Sequence, residues 1–379
     1  MKYDVILIYN IVIMIEEKIW FWDIVKTMEP RWMMSSMATW AVWILTMIIW
    51  GKFDLVYLKY FAWILSFLAI ILFILFMIMF TLRIVKFPKA VIDDLSHPIA
   101  ANFFAWIFIS AAIIVSAIWN VLEPLGWCTN AVMVSKIFYI IALVLGTIIP
   151  VLVPFMLTIS EKVDSKHAIG IWFLPPVWIF VLVFAGNFMA LHWIWSNIIP
   201  YISLFYMWMA FMLYFMVSSM IYSRLKFHSL PAPEVAPSFV IGLAPIWVSI
   251  IALNTFNAVL QKNNIFNWDL NFVHSFVQII SWMLAWYGAW WFILTILILS
   301  YYLIKKSIPY TLGWWALVFP VAAFGIGLKF LAIDLSCTWL CPLIVFIWGL
   351  ATVLWLVVFY KTIKWIITKK AFARPKVVK

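Results

Sequence analysis

Residues 314–327, WWALVFPVAAFGIG, decide the fold class. The stretch is apolar enough to lie in hydrocarbon, yet it carries one proline and two glycines. Pro320 removes a helical hydrogen-bond donor and clashes with the preceding turn, while Gly325 and Gly327 leave room for a neighbouring helix. In a bilayer, backbone loosened in this way must face protein or a cavity, because lipid offers it no hydrogen-bond partner. Two other stretches repeat the device: 171–186 with Pro175 and Pro176, and 241–256 with Gly242 and Pro245. The chain reads as smooth helices enclosing broken ones.

Composition sets the class. Of 379 residues, 68% are hydrophobic and only 10% charged, with 27 Trp and 33 Phe. A soluble chain carries nearer a quarter charged residues, so this is an integral membrane protein. The net charge of +11 does not signal nucleic acid, because the basic residues gather at segment ends and at the C-terminus. The opening twenty residues are too short in apolar run to span and lack a signal-peptide cleavage pattern. They read as an interfacial or cytoplasm-side helix.

Ten spans are expected, at about 32–50, 57–82, 99–120, 131–156, 168–190, 197–223, 236–260, 272–303, 310–331 and 338–364. This gives an N-terminal segment 1–31, a transmembrane domain 32–364 and a basic tail 365–379. Both termini then share one side. All but five of the 25 basic residues fall there as well, the exceptions being Lys52, Lys59, Lys136, Lys262 and Lys329. That bias marks the cytoplasmic side by the positive-inside rule. Connections are short, so the spans form five successive helical hairpins in which the first helix runs outward and the second returns.

The outward spans hold the prolines and glycines, and small residues line single faces of them. Gly242, Pro245, Ser249 and Ala252 share one face of span seven; Ala316, Pro320, Ala323 and Gly327 share one face of span nine. Each stripe alone also suits close helix packing. Returning spans such as 61–80 are bulky and fit a lipid-facing shell.

Little else in the sequence carries chemistry. No Asp, Glu or Arg falls near the middle of a span, which disfavours a carboxylate proton relay or a cation site. His97, His167, His192, His228 and His274 have no ligand-spaced neighbours, and Cys337 with Cys341 is a lone C-x-x-x-C, so neither a metal nor another cofactor is expected. No catalytic group is visible in the spans, and an enzyme is not expected. An uncharged path still suits anions, because hydroxyls, amides and N–H groups freed at broken helices donate to an anion without trapping it. Candidates are Ser35 and Ser36 in span one, Asn102 and Ser116 in span three, Asn187 in span five, and Ser249 in span seven. Asn102 and Asn187 equally suit helix–helix contacts or caps. Lys329 is either an anion-collecting charge at a mouth or an interfacial anchor. Phe319, just before Pro320 on a broken helix, is a candidate dry constriction.

Four phrases occur in register: SHPIAANFFAWIFISA (96–111), IGIWFLPPVWIFVLVFAG (169–186), LPAPEVAPSFVIGLAPIWVSIIAL (230–253) and LGWWALVFPVAAFGIGL (312–328). Together they resemble the tellurite-resistance and dicarboxylate transporter family, with the malic-acid transport proteins and plant slow-type anion channels, over roughly residues 28–365. The resemblance implies ten helices as five hairpins about a pseudo-fivefold pore lined by odd-numbered helices, usually in a homotrimer of separate pores. It implies passage of C4-dicarboxylates such as malate, or of sulfite, nitrate or chloride, through the cell membrane. The family's pore-crossing Phe maps to Phe319, with Phe324 one turn on as the competitor, and its kink prolines map to Pro176, Pro245 and Pro320. Two departures stand out. Met34, Ser35, Ser36 and Met37 replace a glycine-bearing phrase of span one, and Ile246 and Trp247 follow Pro245 where a small residue is usual. Added bulk there narrows a path, so an inorganic anion channel and a non-conducting membrane scaffold are the alternative expectations.

Overall fold

The computed structural model describes residues 20–122, 126–160, 163–334, 338–368 and 371. The interfacial reading of the first residues and most of the basic tail lie outside these. Among the described residues the fold is all helical, with twelve α-helices and no strands. A short α1 (Phe21–Thr27) leads to α2 (Met33–Phe53) and α3 (Val56–Lys86). The short α4 (Pro88–Leu95) precedes α5 (Ala105–Leu122) and α6 (Cys128–Ile159). Then follow α7 (Leu174–Leu191), α8 (Ile199–Phe227), α9 (Leu243–Lys262), α10 (Leu270–Lys305), α11 (Val318–Asp334) and α12 (Leu340–Ile367). Nine of the described helical segments are long and apolar enough to cross a membrane. The one expected span outside that set is the segment ending in α5.

Five helices begin in the same unusual way. A 3₁₀ segment leads into each of them: Pro30–Trp32 into α2, Ala100–Phe104 into α5, Gly170–Phe173 into α7, Pro233–Gly242 into α9 and Leu312–Leu317 into α11. The breaks expected at the prolines therefore take the form of a change in winding. Pro175 and Pro176, Pro245, and Pro320 all fall within the first α-turn of α7, α9 and α11. An α-helix has no partner for its first N–H groups, so a proline placed there loses little. The tighter winding ahead of it moves the residues that a regular turn would bring into its ring.

These five helices are the inner ones. Each packs on the next around a closed circuit: α2 on α5, α5 on α7, α7 on α9, α9 on α11, and α11 back on α2. Each also packs on the long helix that follows it, namely α3, α6, α8, α10 and α12. Burial divides the same way. In their most apolar stretches, 94% of the segment Pro233–Lys262, which ends in α9, is buried against 22% of α6. Exposed Phe67, Ile71, Met216, Trp286 and Phe346 on the outer helices suit a lipid-facing shell.

Close packing explains several glycines. A Cβ on Gly146 of α6 would stand 1.4 Å from Trp178 Cζ2 of α7, whose indole is fully buried and donates to the Gly146 carbonyl at 3.4 Å. A Cβ on Gly170 would stand 1.9 Å from the Ser238 carbonyl oxygen, so two of the 3₁₀ segments touch backbone to backbone only because that side chain is absent.

Around these segments the basic residues are partly structural. Arg83 is buried, pairs with Asp94 at 2.6 Å and donates to the Lys26 carbonyl at 3.0 Å. Burial raises the Asp94 carboxyl above the usual range against the opposing pull of Arg83. His97 Nδ1 accepts from the Ile99 and Ala100 amides, both at 3.2 Å, and so caps the 3₁₀ segment before α5. Burial holds its pKa below the ordinary value.

Candidate functional site

All five inner helices, with α12, line an open-mouthed cavity of about 820 Å³. Trp40, Trp43, Met47 and Lys52 come from α2 and Ser116 from α5. Phe184 and Phe188 come from α7, Val248 and Ile251 from α9, and Phe319, Ala323, Ile326 and Lys329 from α11. The α12 side supplies Cys341 and Ile344, with Thr338 just ahead of it. The surface is overwhelmingly apolar. Its two cations, Lys52 and Lys329, stand towards the C-terminal ends of α2 and α11.

Phe319 bounds the cavity in the second position of α11, where the chain has just turned from 3₁₀ to α winding. Its ring is buried and lies edge to face with Trp106 of α5, centroids 6.5 Å apart and planes at 89°. Phe324 is placed differently. It stacks on Trp247 of α9 at 4.2 Å and meets Phe292 of α10 at 5.4 Å, filling the join between helices.

A second, much smaller pocket of about 40 Å³ lies where the 3₁₀ segments meet, lined by Arg31, Met34, Phe103, Ile171, Ser238 and Ala316 among others. Arg31 lies over the Phe103 ring at 5.3 Å and its Nε donates to Glu29 at 2.6 Å. The Ser238 hydroxyl is buried there without a hydrogen-bond partner. The smaller space thus lies among the 3₁₀ segments, and the larger runs from Phe319 towards the C-terminal ends of the inner helices.

The other singled-out residues divide between cavity and packing. Ser116, Ala323 and Lys329 reach the large cavity. Ser35 donates to the Trp32 carbonyl at 2.8 Å, Ser249 to Ile246 at 2.7 Å and Asn102 to Pro98 at 3.2 Å, each within its own chain turn. Ser36 bonds across to the Ala69 carbonyl of α3 at 2.8 Å. Asn187 joins three helices: its amide donates to the Ala252 carbonyl and to Thr255 Oγ1, both at 3.1 Å, while its oxygen accepts from Ser203 at 2.8 Å. The space beside Gly242 is taken by Trp291, and that beside Gly327 by Trp247. The bulk of Trp247 is therefore housed between α9 and α11, against Phe324 and Gly327.

Three features, two of them on the cavity wall, carry no mark in the sequence. Lys52 stands among the exceptions to the charge bias, yet its Nζ donates to Cys341 Sγ at 2.9 Å on the cavity wall. The aromatic wall of Trp40, Trp43, Phe184 and Phe188 is hidden among the many Trp and Phe. Four of the five exceptional lysines also share a motif, with Lys59 over Trp50, Lys136 over Trp195, Lys262 over Trp193 and Lys329 over Phe330. Such pairs hold a cation beside an aromatic face at one end of the helices.

Among the described residues no group of His, Cys, Asp or Glu could hold a metal ion. What the arrangement offers is a closed ring of helices, an apolar chamber with cations near its mouth, and an aromatic floor.

Comparison with known proteins agrees with this geometry. Two proteins of Methanocaldococcus jannaschii, each named an uncharacterized transporter, are similar to the chain. One is 28% identical over 304 residues, covering 79% of this chain and 83% of its own. The other is 26% identical over 306 residues, covering 80% and 83%. The sequence pattern of the voltage-dependent anion channel family, SLAC1, matches residues 27–363. With nine described segments able to span a bilayer and nearly the whole chain covered by that match, the protein is a multi-span anion-transport protein that belongs to the SLAC1, or tellurite-resistance and dicarboxylate transporter, family.

Proposed function

We propose that the chain carries small anions along the axis enclosed by α2, α5, α7, α9 and α11, and that Phe319 closes this path. The observation that carries the reading is the cavity shared by all five inner helices and floored by Phe319. In this reading α5 is the tenth span, the spans form five hairpins about a pseudo-fivefold axis, and the 3₁₀ ends face the cytoplasm with both termini. Anions collect at Lys52 and Lys329 on the outer side, shed part of their hydration in the chamber, and wait at Phe319 until its ring turns aside. Ser116 and Ala323 belong to the path, and Pro176, Pro245 and Pro320 fix the inner helices where they turn towards it. Asn187, Gly242 and Gly327 support the path from behind: Gly327 lets α9 pack on α11, Asn187 ties α7 to α8 and α9, and Gly242 admits Trp291 of outer α10. A homotrimer in the cell membrane, each subunit with its own path, is the assembly the family resemblance implies.

The cargo proposed is a C4-dicarboxylate such as malate. A second reading has support of its own: the cavity offers few hydrogen-bond donors to replace water around two carboxylates, which favours weakly hydrated inorganic anions such as nitrate. Flux of malate, chloride and nitrate into liposomes under an imposed voltage tests both. Saturable malate uptake supports the first, and nitrate current without malate uptake the second. Silence towards all three from folded protein would leave a non-conducting membrane scaffold.

A further inference from the structure

The chemistry of the large cavity fits its proposed cargo poorly. Its volume of about 820 Å³ lies in the range of sites that enclose drug-sized ligands, roughly 300–1,000 Å³. A four-carbon acid would leave most of that space empty. Its wall is aromatic over much of its area, with Trp40, Trp43, Phe184, Phe188, Phe319 and Phe330 contributing. Trp40 itself meets Trp43 at 6.1 Å and Phe184 at 6.1 Å, so adjoining rings form a continuous face. An apolar chamber gains little from water and much from an apolar occupant, above all one with flat rings to lay against these.

The mouth has the opposite character. Lys52 and Lys329 both line the cavity, and among the described residues neither is paired with a carboxylate. The partner of Lys52 is the Cys341 sulfur, and that of Lys329 is the face of Phe330 at 5.6 Å. Both are weak partners for an ammonium group, for Lys329 in a half-buried place and for Lys52 at the exposed rim, and a carboxylate would be a stronger one.

We infer that this cavity binds an amphiphilic monocarboxylate, an aromatic acid whose rings fill the apolar chamber and whose carboxylate meets Lys329 and Lys52. The inference rests on the proposed path for the cavity's access to water. Such an acid seated above Phe319 occupies the space an inorganic anion would cross, so it acts as a blocker or a slow cargo. A neutral molecule of the same body lacks the charge contact. A dicarboxylate lacks the apolar body and places its second charge against Trp and Phe, where it is poorly solvated.

The test uses Cys341 as a reporter on the cavity wall. In the full chain carrying Cys128→Ala and Cys337→Ala, reconstituted in lipid nanodiscs, maleimide labelling of Cys341 is timed with 2-naphthoate, 2-naphthylmethanol or malate present. Calorimetry on the same samples, with empty nanodiscs subtracted, gives the affinities. The inference predicts that 2-naphthoate slows labelling and binds about tenfold more tightly than 2-naphthylmethanol, with malate weaker still. Lys329→Gln should bring 2-naphthoate down to the level of the alcohol while leaving the alcohol unchanged. Equal binding of acid and alcohol, no effect of Lys329→Gln, or no protection of Cys341 would each overturn it. Nitrate and malate flux measured in parallel separates the two claims. Flux without naphthoate binding removes only this inference, whereas naphthoate binding without any anion flux removes the transport reading and leaves the site.

Discussion

Phe319 of α11 and Trp106 of α5 meet edge to face at 6.5 Å across the inner ring. Two helices far apart in sequence thus hold one aromatic pair at the floor of the cavity. Such a contact contributes about 0.5–1.5 kcal/mol beyond its buried area, enough to favour one rotamer of Phe319 without locking it. Trp106→Leu should loosen Phe319 and raise anion flux in liposomes, though less than loss of the Phe319 ring does. Flux equal to that of the original chain would separate Trp106 from the gate.

Asn187 makes a different prediction, because its hydrogen bonds are all spent on joining α7 to α8 and α9. Replacing it with Leu should lower stability by about 1–2 kcal/mol, in the range of interhelical polar contacts in membranes. Anion selectivity should stay as it is. A thermal shift in detergent and a selectivity ratio in liposomes read the two effects, and a changed ratio would place Asn187 on the path.

Gly170 tests the junction of the 3₁₀ segments. A methyl group there would collide with the Ser238 carbonyl, and backbone cannot give way as a side chain can. Gly170→Ala should cost about 1–3 kcal/mol or more. Gly349→Ala, in the middle of α12 where nothing lies within 4 Å, should be neutral or stabilising by up to about 1 kcal/mol. Comparable melting temperatures for the two variants would contradict the backbone contact.

His97 gives a pH dependence. Its Nδ1 accepts two amide hydrogens, which requires the neutral ring, and its pKa in the folded chain lies below the ordinary 6.5. The unfolded chain therefore takes up this proton first. The contribution of His97 is complete above pH 6.5 and is lost as pH falls through the lower folded value. Melting temperature should decline on acidification through that window, and His97→Ala should flatten that part of the profile.

The fold was largely legible because its signals are long. Apolar runs marked the helices, and Pro175, Pro176, Pro245 and Pro320 marked the inner ones. That these prolines sit in first turns behind 3₁₀ segments was not legible, since the winding depends on how five segments pack at one end. The site was harder to read. Ser35, Asn102 and Ser249 are polar residues in apolar spans, but such side chains readily bond carbonyls three or four residues back, and sequence does not separate that habit from lining a path. On α9 the cavity is lined by Val248 and Ile251, beside Ser249 rather than by it. Gly242 and Gly327 signalled close approach, and the approaching groups are the indoles of Trp291 and Trp247. Lys52 was concealed because its neighbour in space, Cys341, comes 289 residues later.

The most direct test of the account is anion current through Phe319→Ala in liposomes, beside the original chain and Phe324→Ala. If the Phe319 ring closes the path, its removal raises current at unchanged protein amount and fold, while Phe324→Ala, which empties a helix join, lowers stability without that rise. Equal currents from correctly folded Phe319→Ala and the original chain would contradict occlusion by Phe319.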